Sequence, residues 1–86
     1  MFEIGGNKIE DMLELFDEVV VCHHGHDIRI ERDVMKNNWV RCTLLEDQSW
    51  TYLVGPAHPG DLLILQTLDD LLSDYEKEQL HVVYFN

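Results

Sequence analysis

The densest group of chemistry-bearing residues is Cys22-His23-His24-Gly25-His26-Asp27. Sulfur and imidazole donors close together suit zinc, which takes a tetrahedral set of nitrogen and sulfur ligands. If Val19 to His24 is a strand, Cys22 and His24 share one face, and His26 joins them beyond the turn. That set is one ligand short, and the fourth must come from Cys42, His58 or His81. No Cys-x₂₋₄-Cys pair supports a structural zinc module, so a hairpin with polar turn histidines and one buried cysteine explains the same residues more simply. Histidines gathered at one turn would also respond to mild acid if the hairpin lay in an interface.

Other chemistries fit less well. Covalent catalysis by Cys22 with His24 needs an activated, accessible thiolate, whereas Cys22 follows Val19-Val20-Val21 and is expected to be buried and inert. Gly5-Gly6-Asn7-Lys8 lacks the Gly-x₄-Gly-Lys-Ser/Thr pattern of a phosphate-binding loop. Rossmann, nucleophile-elbow and zincin patterns are equally missing from the sequence. Carboxylates are plentiful, but solvated carboxylates lack the burial that separates the pKa values of an acid/base pair. The expectation is a non-enzymatic protein that needs no cofactor.

The elements that must position these residues follow from periodicity. Leu68, Leu71, Leu72 and Tyr75 recur at i, i+3, i+4 and i+7, one face of a helix over Thr67 to Glu78. Ile9, Met12, Leu13 and Phe16 repeat that spacing in a first helix from about Lys8 to Asp17, with Asn7 as N-cap and Glu10 completing a capping box. Phe2 to Ile4 is a short first strand. Between the helices, Val19–His24, Ile28–Glu31, Trp39–Leu45 and Ser49–Val54 alternate or cluster apolar residues as strands do. Turn signals separate them at His24–Asp27, Lys36–Asn38 and Glu46–Gln48. Residues 19–54 therefore form a four-stranded antiparallel meander. Gly55 to Gly60 contains both prolines and is a loop. Leu62 to Leu65 reads as a buried strand before a helix capped by Thr67, with a single long helix capped by Asp61 as the alternative. Leu80 to Phe85 reads as a closing strand. The fold class is α+β: one domain over residues 1–86, an antiparallel sheet of four to six strands with two acidic amphipathic helices packed on one face.

Charge distribution says more than total charge. The 86 residues carry 17 acids and 6 bases, a net of −11. Residues 1–18 hold six acids and one base, and residues 61–86 hold six and one, so each terminal segment carries −5. The middle, 19–60, holds five acids and four bases, a net of −1. Such a balance repels DNA, RNA and anionic membranes, and it favours basic protein partners. No stretch approaches the roughly 18 apolar residues of a membrane span, and acids interrupt any signal-like N-terminus, so a cytoplasmic setting is expected. Cys22 and Cys42 read as two packed thiols, with one inter-strand disulfide as the lesser alternative.

Both helices place acids toward their C-termini, against the helix dipole, at about 0.3–1 kcal/mol each. Leu15 stands on the acidic side of the first helix. Local rules broken in this way often mark functional surface. The candidate partner-binding residues are therefore Glu10, Asp11, Glu14, Leu15 and Asp17 with Asp69, Asp70, Asp74, Glu76 and Glu78. The expected function is an inhibitor or adaptor that offers acidic helices to a basic nucleic-acid-binding protein or nuclease. Small acidic proteins of phage anti-defence systems, such as anti-CRISPR and anti-restriction proteins, act by this type of nucleic-acid mimicry. Two alternatives come from other classes. One is a metal- or redox-responsive protein using Cys22, His24 and His26. The other is a structural, oligomerising subunit, in which Leu15, Trp39 and Trp50 would cover a homodimer surface.

Overall fold

The computed structural model describes residues 2–3, 9–36, 38–55 and 58–84. Five strands and two helices follow in the order β1 (Phe2–Glu3), α1 (Ile9–Phe16), β2 (Glu18–His23), β3 (His26–Asp33), β4 (Trp39–Leu44), β5 (Thr51–Val54) and α2 (Gly60–Tyr84), with a 3₁₀ turn at Val34–Lys36. The strands make one sheet in the order β1-β2-β3-β4-β5. β2 to β5 are the expected antiparallel meander, and β1 adds to its edge in parallel with β2. The architecture is α+β.

Alternation along the strands builds the core. Val19 and Val21 of β2 stand beside Ile30 and Ile28 of β3, which pair in turn with Cys42 and Leu44 of β4. These residues, with Val40 and Val54, are buried, and they join Ile9 and Leu13 of α1 and Ile64, Leu68, Leu71 and Leu72 of α2 in one cluster. Burying a side chain of this size contributes roughly 1.5–3 kcal/mol. The other sheet face carries Val20, Cys22, Arg29, Glu31, Asp33, Trp39, Arg41 and Leu53, none of them fully buried, together with Thr43, which is.

Four left-handed residues close the turns and the end of α1. His24 (φ 50°) and Gly25 (φ 81°) make the two-residue link between β2 and β3, whose pairing closes on His23 opposite His26. Both central residues at positive φ are what a tight hairpin requires for its strand twist. Asn38 (φ 61°) leads into β4. Asp17 (φ 61°) ends α1, and its N–H donates to the Leu13 carbonyl at 2.9 Å, a left-handed helix stop.

The second half of the chain differs from expectation. Leu62–Leu65 is not a strand, and Leu80–Tyr84 is not a closing strand. Both belong to α2, 25 residues or about 37 Å long. The stripe of Leu68, Leu71, Leu72 and Tyr75 extends back to Ile64 with helical period, so one continuous helix buries Ile64, Leu68, Leu71 and Leu72 and packs the half-buried Tyr75 against the core, leaving Leu62 76% exposed. Thr67 is no cap, since its hydroxyl donates to the Leu63 carbonyl one turn earlier, at 2.9 Å. Beyond Tyr75 the helix carries residues 76–80 exposed on all sides. A helix satisfies its backbone internally, whereas a β-branched run needs a strand edge beside it. In α1 Phe16 is 59% exposed rather than part of the buried stripe, because the chain turns away at Asp17. Ile4 to Lys8, including the Asn7 cap, lie outside the described residues, as do Asn37, Pro56, Ala57 and Phe85.

Candidate functional site

The hairpin tip and the middle of α2 meet. His23 lies on the core face of β2, beneath α2, with its side chain 17% exposed, and its Nε2 stands 2.7 Å from Asp69 Oδ1. His24 Nε2 approaches the same oxygen at 3.6 Å. The two imidazole centroids are 4.3 Å apart at 60°. Across the hairpin His26 Nδ1 meets Glu46, and Tyr75 of α2 donates to the same carboxylate at 3.2 Å while resting edge-on against Trp50. Burial, followed by the neighbouring Glu46 and Asp47, raises Tyr75 above its ordinary value of 10.

This arrangement overturns the Cys22, His24, His26 grouping. Cys22 pairs with Asp27, one step out of phase with the His23–His26 pair, so its thiol projects from the opposite sheet face. His24 belongs to the turn rather than the strand, and His26 is held by Glu46. Cys42, offered as a fourth ligand, is fully buried in the core, and that burial pushes its thiol up to about 12. His58 stands near Glu10 instead, and the side chain of His81 lies outside the described residues. Cys22 and Cys42 are on separate strands and opposite faces, and both are free thiols. Cys22 is half-buried rather than fully so.

The structure divides the ten acidic-surface candidates. Glu10 is engaged within the fold: its carboxylate accepts the Gly60 N–H at 2.5 Å, while Asp61 accepts the Glu10 N–H at 2.9 Å. Each helix thus caps the other, where the sequence suggested a box within α1. Asp69 faces His23 and His24, and Asp74 accepts the Tyr52 hydroxyl. That bond, then burial, lifts Tyr52 to about 12. Asp17 is exposed but serves as the left-handed stop of α1. Asp11, Glu14, Leu15, Asp70, Glu76 and Glu78 project outward. Glu76 and Glu78 do not end a helix, since α2 runs on to Tyr84, so the argument from the helix dipole falls away for them. Asp17 does follow the last turn of α1, which holds no basic residue, while its backbone makes the left-handed stop.

No family model, no curated protein and no solved structure matches this chain.

The bases of the sheet do little to offset the helices. Arg41 pairs with Asp33, whose carboxyl is held below its ordinary 3.8 chiefly by that hydrogen bond. Arg29 Nε, buried without a hydrogen-bond partner, lies 3.4 Å from Glu31. Arg32 and His58 line a shallow depression of about 300 Å³ with Glu14, Asp17 and Asn38. The tryptophans do not share a surface. Trp50 packs on the core with Tyr75, while Trp39 lies on the opposite face, beside Leu53, Met35 and Lys36. Among the described residues no helix is long and apolar enough to cross a membrane.

Proposed function

We propose that this protein is a non-enzymatic binding module, an inhibitor or adaptor, whose two acidic helices form one layer on the sheet and engage a basic nucleic-acid-binding protein or nuclease. The observation that carries this reading is the segregation of charge: −5 on each terminal segment around a sheet region of −1 whose Arg29 and Arg41 are paired internally. The contact residues are the outward ones, Asp11, Glu14 and Leu15 on α1 with Asp70, Glu76 and Glu78 on α2. Asp70 and Glu78 lie about 12 Å apart along the helix rise, close to four nucleotide steps along one DNA strand, and Glu76 stands beside Glu78. A groove that accepts phosphates would accept this row. The mode resembles that of phage anti-defence proteins in type, with mimicry replacing catalysis.

The test is fluorescence anisotropy of the labelled chain against purified basic nucleases and DNA-binding proteins, with duplex DNA as competitor. For a genuine partner, binding weakens steeply with salt, DNA competes, and Asp70→Lys/Glu76→Lys/Glu78→Lys lowers affinity by more than about a hundredfold. Binding that ignores salt, or that survives the triple reversal, refutes acidic mimicry.

A further inference from the structure

We propose that His23, His24 and Asp69 form a binding site for a divalent first-row transition-metal ion, with zinc, nickel and copper as the fitting members. Two imidazole nitrogens converge on one carboxylate oxygen, and the three ligand atoms lie within 4.8 Å of one another. A zinc ion sits about 2.0–2.1 Å from histidine nitrogen and about 2.0–2.2 Å from a carboxylate oxygen, so its tetrahedral donors stand about 3.3 Å apart. The two observed nitrogen–oxygen distances, 2.7 and 3.6 Å, fall on either side of that value. Binding an ion there requires the first distance to lengthen and the second to shorten by a few tenths of an ångström. His23 is the anchored ligand, only 17% exposed, whereas His24 at 70% and Asp69 at 58% are free to adjust around an ion.

The donor set selects the ion. Two neutral imidazoles with one carboxylate suit borderline transition metals, while calcium and magnesium prefer an all-oxygen shell. Three protein ligands on an exposed rim leave the remaining positions to water. The net charge of −11 raises the local cation concentration and opposes anions. The other clustered group, Glu10, Glu14 and His58, is the weaker candidate, because it has one imidazole and Glu10 already accepts the Gly60 N–H. An ion at His23, His24 and Asp69 would tie the β2–β3 hairpin to α2, joining residues 46 positions apart in the chain. Its binding would therefore stabilise the fold.

Calorimetric titration of the full chain with zinc chloride, repeated with nickel and copper salts, tests this directly. One ion per chain is expected, with a zinc-dependent rise in melting temperature. His23→Ala, His24→Ala and the near-isosteric Asp69→Asn should each weaken binding at least about tenfold, since loss even of outer-shell partners changes metal affinity about 10–100-fold. Circular dichroism checks that each variant is folded, and Asp69→Asn alters only an exposed group. His58→Ala and Cys22→Ser should bind as the parent does. Zinc binding no tighter than millimolar, unchanged binding in Asp69→Asn, or loss confined to His58→Ala or Cys22→Ser overturns the assignment.

Discussion

The reciprocal cap between the helices is the most exacting place to perturb the fold. Glu10→Ala removes the acceptor of the Gly60 N–H, and Asp61→Ala removes the acceptor of the Glu10 N–H. Each loss leaves a helix-end donor bare in a half-buried junction, and losing a cap costs about 0.5–2 kcal/mol, typically about 1. The carboxylates also sit at the positive ends of the two helix dipoles, which adds to the same sign. For a domain of this size 1 kcal/mol lowers Tm by about 4–8 °C. The two bonds share the contact of one helix start with the other, so breaking either loosens the geometry of the second. The double variant should therefore cost less than the sum of the singles by about 0.5 kcal/mol or more. Glu10→Gln keeps an acceptor oxygen and should stay within about 0.5 kcal/mol of the parent. Urea unfolding followed by circular dichroism and tryptophan fluorescence measures all four variants. Strict additivity, or a Glu10→Ala variant as stable as the parent, would refute the reciprocal cap.

Three further outcomes are expected. Gly55→Ala would place a methyl 2.7–2.9 Å from the Trp39 ring, so the indole must move, at about 1–3 kcal/mol, with a red-shifted, more quenchable Trp39 emission in a Trp50→Phe background. Cys22, half-buried on the bare face, should react with a thiol reagent in the folded state, whereas Cys42 should react only after unfolding, giving one fast thiol and then a second by mass spectrometry. The Asp33–Arg41 pair, with its carboxyl held below 3.8, contributes stability that is present above that value and lost as the pH falls through the lowered one. Asp33→Asn should therefore flatten that part of the acid-unfolding curve.

The sequence by itself determined the α+β class, the meander of residues 19–54, the apolar stripes of both helices and the segregation of charge. These are period and composition signals, written into neighbouring residues. Tertiary structure decided what depends on partners far along the chain. Leu62–Leu65 and Leu80–Tyr84 carry local strand propensity, yet both lie in α2, because Ile64 continues the buried stripe and helical backbone closes its own hydrogen bonds. Glu10 read as surface or as the cap of its own helix, and only the approach of Gly60, 50 residues on, turns it to α2. Cys22 seemed to belong with the histidines until β2 pairing fixed its phase and sent it to the other face. Asp69 read as one acid in a solvated row. No local pattern links it to His23 and His24, because only the docking of α2 across the hairpin tip puts its carboxylate between two imidazoles.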